Sequence, residues 1–221
     1  YGQAAFDPAS TVNKYNMLNE DVKVIGAKHA VGIVSCGALA REILHLQKQL
    51  GGDHWKLKFL PADLHNRPTE IPAAVDAALT EMAADCDQLL VGYADCGTAG
   101  KLDPVLERHG ATRLEGAHCY AFFLGLDEFD VVHDNEPGTF YLTDYLVRQF
   151  DTLVYKSLGW DRHPELRDAD FGNYTRLMYL RQSNDPKLNE KALHAAMKLG
   201  LRLEIRDTGY GELEPFLNKV S

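Results

Sequence analysis

Apolar positions along residues 31–125 follow two periods that alternate. Continuous apolar runs are typical of buried parallel strands and predict strands at 31–35, 55–62, 88–94 and 118–125. Apolar residues at helical spacing between these runs predict helices at 38–50, 72–86 and 102–110. A strand–helix alternation with short connections favours a parallel sheet covered by helices on both faces.

The remainder of the chain continues the same alternation less regularly. We expect a long helix over 138–159, strands at 175–182 and 201–208, and helices at 189–200 and 212–220. Residues 160–174 lack clear periodicity and are rich in charged and aromatic side chains, which is typical of a functional loop. The sequence therefore predicts an α/β protein with a mostly parallel sheet and helices on both faces. Its expected organisation is an N-terminal arm of residues 1–30 and one α/β domain over 31–221, with two lobes at 31–135 and 136–221 as the alternative.

Charge and hydropathy limit the kinds of partner that the protein is expected to bind. Among the 221 residues, Lys and Arg number 23 and Asp and Glu 32, so the net charge is 23 − 32 = −9. This acidity disfavours nucleic acid as a partner, because phosphate backbones require a cationic face. No apolar run reaches the roughly 20 residues that span a bilayer, and the first residues lack the features of a signal peptide. We therefore expect a cytoplasmic protein that binds neither nucleic acid nor membrane.

Cysteines follow several of the predicted strands. Cys36 and Cys96 come after the first and third strands, and Cys119 lies in the fourth apolar run, while Cys86 is at the opposite edge. His65 follows the second strand. Because ligands bind outside the carboxyl ends of parallel strands, a three-cysteine, one-histidine set at this edge predicts a tetrahedral zinc site. An iron–sulfur cluster, a redox pair of thiols, two disulfides and buried cysteines without function are the alternatives.

Individual residues at this edge allow more than one role. Cys36 at a helix N-terminus would have a lowered thiol pKa and would act as a nucleophile. The glycine-rich turn around Cys96 would either cradle an anion or only reverse the chain. Asp95 would serve as a base or cap a helix, and His118 could take the place of His65 as a ligand.

A second group of polar residues is predicted to hold the substrate. Most belong to the charged segment 160–174 or follow the last strand; they are Arg162, His163, Glu165, Arg167, Asn173, Tyr210 and Glu212. A solvated, salt-bridged turn and a tight turn explain the same residues without any function.

Seven sequence blocks, in order, resemble the domain-of-unknown-function family 1638 over residues 31–217. They are SCGALAREI, LHNRP, YADCGTAG, GAHCYAFF, PGTFYLTDYLVRQFD, DRHPELRDADFGNYTRLMYL and TGYGELEPF. The resemblance implies bacterial and archaeal relatives whose genes accompany corrinoid-dependent methyltransferases, and thus a place near one-carbon metabolism. It also implies that Cys36, His65, Cys96 and Cys119 match family positions, and that relatives often carry glycine where this chain has Ala99.

Three functions are consistent with these observations. In the first, zinc held by Cys36, His65, Cys96 and Cys119 serves methyl or thiol transfer on a small molecule. In the second, the protein is a non-catalytic accessory that binds a corrinoid, a haem, a corrinoid protein or a methyltransferase, although the corrinoid pattern DxHxxG is absent. In the third, a metal-free thiol enzyme uses Cys36 or Cys96 as the nucleophile, with His65 as the base.

Overall fold

The structure, a computed structural model, describes residues 30–221. The predicted N-terminal arm therefore lies outside the described residues, apart from Ala30. Within the described range, seven strands form two sheets in which every pair of neighbouring strands is parallel. The α/β class with mostly parallel sheets is confirmed, with the strands divided between two sheets rather than placed in one.

The first sheet has the strand order β2-β1-β3-β4. Its strands are β1 (Val31–Cys36), β2 (Trp55–Leu60), β3 (Gln88–Gly92) and β4 (Thr112–Arg113). The accompanying helices are α1 (Ala40–Gln49), α2 (Ile71–Met82), α3 (Asp103–His109), α4 (Cys119–Leu124) and α5 (Leu126–Asn135). Short 3-10 helices cover Gly37–Leu39, Ala62–Asn66 and Pro68–Glu70. From β1 the chain passes to one side of the sheet and from β3 to the other, so the two strands flank a topological switch point.

The second sheet has the strand order β5-β6-β7. Its strands are β5 (Thr139–Thr143), β6 (Arg176–Arg181) and β7 (Arg202–Asp207). The helices that follow in the chain are α6 (Asp144–Arg148), a π-helix (Asp151–Lys156), α7 (Leu166–Phe171), α8 (Pro186–Leu199) and α9 (Leu213–Asn218). The two sheets fall within the two predicted lobes, whose status as separate domains stays a prediction.

Three of the local structure predictions are wrong. The apolar run at 118–125 forms helix α4, and the fourth strand is the short β4, which pairs with Leu90 and Val91. The expected helix over 138–159 is divided into β5, α6 and the π-helix, and α7 lies inside the expected loop 160–174. Short apolar runs do not separate strands from helices by periodicity, and here pairing with β6 decides in favour of the strand.

Consecutive strand residues pack into different layers of the core. Ile33 of β1 and Met178 of β6 belong to one apolar cluster between the sheets. Val34 packs on the other side with α2, and Tyr179 packs with α8. This alternation follows from the two-residue period of a strand. The sheets therefore share one continuous apolar layer, which holds their carboxyl ends in a defined arrangement.

A buried carboxylate ties helix α6 to the second sheet. Asp144, which is 1% exposed, accepts hydrogen bonds from the Tyr179 hydroxyl (2.7 Å), the Gln182 backbone amide (3.0 Å) and the Ser183 hydroxyl. The backbone amide of Asp144 donates in turn to the Gln182 side-chain carbonyl at 2.7 Å. Because buried carboxylates need such partners, this network sets where α6 begins.

Candidate functional site

The topological switch point of the first sheet carries two of the predicted thiols. Cys36 is the last residue of β1, and Cys96 stands four positions after the end of β3. Ligands of open parallel sheets bind at such a point, outside the carboxyl ends of the strands. The crevice between β1 and β3 is therefore where a ligand of this sheet is expected to bind.

The loop after β3 is shaped by Asp95. Its carboxylate accepts hydrogen bonds from the Gly100 amide (2.7 Å), the Thr98 hydroxyl (2.8 Å) and the Ala99 amide (3.1 Å). Burial opposes ionisation of Asp95, but these hydrogen bonds outweigh it and the pKa of the carboxyl is lowered. Both carboxylate oxygens thus accept hydrogen bonds from the loop, which supports a role for Asp95 in holding the loop in position.

The same loop brings Cys119 to the switch point. The amides of Asp95 and Cys96 donate to the carbonyls of Gly116 and Ala117, at 3.0 and 2.8 Å. These bonds hold the segment that leads into α4, whose first residue is Cys119. Cys96 has a backbone φ of +50°, a conformation that costs energy for any residue with a Cβ atom.

His65 reaches the site from the second strand. It lies in the 3-10 helix Ala62–Asn66, and the neighbouring Arg67 forms ion pairs with Asp63 (2.7 Å) and Glu70 (2.9 Å). The residue as a whole is exposed, although burial of its ring, together with the nearby His118, lowers the pKa of His65. The imidazole is therefore uncharged at neutral pH and lies on the solvent side of the site. His118 is exposed as well.

These elements enclose a cavity between the two sheets. Cys36, His65, Cys96 and Cys119 all line it, together with Tyr93. Its second wall comes from Tyr145 and Leu146 of α6 and from Leu153 of the π-helix. The space open to the centre of a water molecule is ≈ 40 Å³. One water needs about 10–15 Å³ of such space, so the cavity holds a molecule of only a few non-hydrogen atoms.

The walls of the cavity are uncharged at neutral pH. Within the described region no Asp, Glu, Lys or Arg lines it. Burial raises the pKa of the Cys36 thiol; it raises that of Cys96 to about 12 and that of Cys119 well above its usual value. Burial also raises the pKa of Tyr93. All three thiols therefore carry their protons at neutral pH.

The zinc prediction is wrong. Across residues 30–221, no group of three or more His, Cys, Asp or Glu side chains is arranged so that it could hold a metal ion. The three thiols and His65 line one cavity, but their side chains do not converge as metal ligands must. The predicted zinc-dependent methyl or thiol transfer lacks its metal centre.

Two further thiol predictions are also corrected. The pKa of Cys36 is raised rather than lowered, because burial outweighs the hydrogen bonds that the thiol makes with the Ala38 backbone and the Tyr93 side chain. The alternative of two disulfides is wrong as well, since all four cysteines are free thiols.

The predicted substrate-binding residues lie elsewhere. None of the seven is among those that line the cavity. Exposed pairs occupy the charged segment, namely Arg162 with Asp161, His163 with Glu165 and Arg167 with Asp168. Asn173 and Glu212 are exposed, and Tyr210 packs against His45 with 5.5 Å between ring centroids. Their proposed role in binding stays a prediction.

Tyr93 is the residue that the sequence did not single out. It is 2% exposed and lines the cavity, and among the described residues its hydroxyl meets the Cys36 thiol, which is a weak acceptor. The sequence signal that could have identified Tyr93 is its position in YADCGTAG, at the end of a predicted strand and three residues before Cys96. The surroundings of a buried hydroxyl cannot be read from sequence, because they depend on which side chains the fold brings together.

The family model for the protein of unknown function DUF1638 matches residues 59–217. The chain belongs to this family. The match includes His65, Cys96 and Cys119, whereas Cys36 precedes it. No curated protein matches the chain. The predicted iron–sulfur, haem and corrinoid cofactors, and a corrinoid protein or methyltransferase as partner, stay predictions for this family member.

Within residues 30–221, no helix combines the length and apolar character required to cross a membrane.

Proposed function

We propose that this DUF1638 protein binds a small, uncharged molecule in the cavity between its two sheets. The observation that carries the proposal is the position of the cavity at the β1/β3 switch point, where open parallel sheets bind ligands. The cavity is lined by both sheets' carboxyl-end elements, so a ligand there would contact both halves of the chain.

The chemistry of the walls supports an uncharged ligand. Protonated thiols, a neutral imidazole and apolar side chains such as Ile71 and Phe122 surround the space. A charged ligand would lose its hydration without gaining an opposite charge, which costs several kcal/mol. The volume limits the ligand to a few non-hydrogen atoms unless α6 moves away from the first sheet.

Xenon is a suitable first probe, because it enters small apolar cavities without specific contacts. We expect xenon to shift the NMR signals of Leu146 and Leu153 and to saturate, whereas benzene, which is larger, leaves them unchanged. Ala62→Leu adds a bulky side chain to the cavity wall and should abolish xenon binding. Ala77→Leu makes the same change on the exposed face of α2 and should preserve it. Absence of a saturable xenon effect in the unsubstituted protein would contradict the proposal.

A cytoplasmic location is part of the same proposal. Four free thiols in one chain are typical of a reducing compartment, where disulfides are rare. Fractionation of the native host cells, with an antibody against the chain, tests this location. Recovery of the protein from an extracellular fraction would contradict it.

A further inference from the structure

Strand β7 leaves one edge of the second sheet open. In the order β5-β6-β7 it is the outermost strand, and among the described strands none pairs with its outer side. Its sequence, RLEIRD, contains neither proline nor lysine, the residues that commonly protect such an edge from pairing. The edge is therefore available to another strand.

The backbone of β7 directs alternate residues to this open edge. The amides of Arg202 and Thr208 both donate to carbonyls on the side of β6, at 3.1 Å. Because the direction of the backbone groups alternates along a strand, the residues at even numbers between them also point to β6. The amides and carbonyls of Leu203, Ile205 and Asp207 consequently point outward, where a second strand would meet them.

The charges along β7 select one pairing of the strand with a second copy of itself. An antiparallel pair must place outward-directed residues opposite one another, so the allowed registers differ by steps of two residues. One of the two longest, over residues 202–206, puts Arg202 opposite Arg206 and Glu204 opposite Glu204. The other, over 203–207, pairs Ile205 with itself and puts Glu204 of each copy opposite Arg206 of the other. Opposite charges stabilise directly facing residues and like charges destabilise them, which favours the register centred on Ile205.

Exposed apolar side chains flank the same edge. Arg181 of β6 donates hydrogen bonds both to Asp207 of β7 and to Asn189 of α8, so these two residues lie at one level of the sheet. Because the crossover helix α8 runs antiparallel to the strands, one turn forward from Asn189, about 6 Å, matches two residues back from Asp207, about 6.6 Å. Leu193 and Ile205, which are 49% and 37% exposed, therefore lie at one level beside the open edge.

We propose that two copies of this chain pair along β7 as an antiparallel dimer with two-fold symmetry. The second sheets of the two copies then form one continuous sheet, and the outward backbone groups of each β7 bond to those of the other. Ile205 faces its own copy on the symmetry axis, and Leu193 of each copy adds apolar area beside this pair. No residue of β7 lines the cavity, so the dimer does not depend on the proposed function.

Sedimentation velocity of the full chain, from micromolar to submillimolar concentration, tests the dimer. We expect a reversible equilibrium between monomer and dimer in the unsubstituted protein. Ile205→Lys removes the apolar pair and places like charges on the axis, so it should raise the dimer dissociation constant by about tenfold or more. Leu44→Lys makes the same change at a 44% exposed position of α1, a helix of the first sheet, and should leave the dimer intact.

Cysteine cross-linking tests the register without adding a charge. Residues that exchange two backbone hydrogen bonds have Cα atoms about 5.5 Å apart, which a disulfide can bridge. Mild oxidation with copper–phenanthroline should therefore link two copies of Ile205→Cys. The two copies of residue 207 are about 13 Å apart along the strand, so Asp207→Cys should not be linked. The unsubstituted protein is the control for its own four cysteines.

Three results would overturn the proposal. The first is a monomer at every concentration. The second is a dimer that Ile205→Lys leaves intact and that Ile205→Cys does not link, because such a dimer uses another surface. The third is linkage of Asp207→Cys but not of Ile205→Cys, which excludes the register centred on Ile205. The cross-link decides the question if Ile205→Lys fails to fold.

Discussion

The Tyr179 hydroxyl donates a 2.7 Å hydrogen bond to the carboxylate of Asp144, and both groups are buried. This bond joins β6 to the start of α6, the helix whose Tyr145 and Leu146 form one wall of the cavity. The position of that wall therefore depends on a polar contact within the second sheet.

Tyr179→Phe should lower the free energy of unfolding by about 1.5–3 kcal/mol, because a buried carboxylate loses one of its donors. Urea denaturation at pH 7 measures this change. Tyr174→Phe is the matched control, since its ring packs against the same apolar cluster and its hydroxyl lies outside the Asp144 network. Equal losses in the two variants would show that removal of a tyrosine hydroxyl in general, and not the bond to Asp144, accounts for the effect.

Asp95→Asn should destabilise the protein by about 1–2 kcal/mol at pH 7, because an amide presents one acceptor to a loop that supplies three donors. The folded-state pKa of Asp95 is lowered, so the stabilisation is present above the unfolded value of about 3.9. It is lost as the pH falls through the folded value. Asp53→Asn changes an exposed carboxylate and is the control. A gap between Asp95→Asn and the unsubstituted protein that persists unchanged in strong acid would argue against this account.

Ala99→Gly should stabilise the protein by up to about 1 kcal/mol. Ala99 has a φ of +54°, in the left-handed region that costs non-glycine residues about 1–2 kcal/mol. Glycine removes this cost but adds about 0.4–1 kcal/mol of unfolded-state entropy. Ala77→Gly, in the middle of α2, should instead destabilise by about 1 kcal/mol. Thermal unfolding of both variants compares the two, and a lower melting temperature for Ala99→Gly would refute the strain argument.

Glu42→Gln should change how stability depends on pH. Glu42 is 5% exposed, one of its carboxylate oxygens has no hydrogen-bond partner among residues 30–221, and burial raises its pKa despite the nearby Arg148. The folded state thus holds the proton more tightly, and stability falls as the pH rises from the unfolded value of about 4.3 through the folded value. The glutamine variant lacks this loss, so its relative stability should increase over the same range.

Unfolding free energies between pH 4 and pH 8 test the prediction for Glu42. Glu107→Gln alters an exposed side chain and should give a curve parallel to that of the unsubstituted protein. A parallel curve for Glu42→Gln as well would be inconsistent with a raised folded-state pKa.

Alkylation of Cys96 should be slow in the folded protein. With a pKa of about 12, its thiolate fraction at pH 8 is roughly a thousandth of that of an ordinary thiol. The rate with iodoacetamide, followed by peptide mass spectrometry, should rise about tenfold per pH unit from pH 7.5 to 9.5. The same cysteine in urea should react at an ordinary rate. A plateau near pH 9 in the folded protein would contradict the raised pKa.

The sequence correctly predicted the strands and helices whose apolar residues follow a regular pattern along the chain. Strands β1, β3 and β6 stand out because each is a continuous apolar run buried on both faces. Helix α8 stands out through its periodicity and its closing Gly200, which has a left-handed backbone. The strand β5 was missed because only two polar residues, Thr143 and Asp144, separate its apolar residues from those of α6, and it is pairing with β6 that distinguishes the two elements.

The location of the candidate site could be predicted from the ends of the strands, whereas its chemistry could not. Cys36, His65 and Cys96 follow successive strands, so a parallel sheet places them at one edge. Cys119 reaches that edge through two hydrogen bonds, from the Asp95 amide to Gly116 and from the Cys96 amide to Ala117, although its predicted strand is a helix. Whether thiols converge on a metal depends on side-chain directions and burial, which spacing along the chain does not encode.

The π-helix Asp151–Lys156 makes the shape of the cavity sensitive to the length of the chain at this point. A π-turn accommodates one more residue per hydrogen-bonded ring than an α-turn, so losing one codon here could restore an α-helix. Each residue of an α-helix turns by about 100°, and such a deletion would rotate Leu153 away from the cavity. A single-residue deletion at a point distant in sequence from the thiols would thus change the shape of the cavity without changing any of its cysteines.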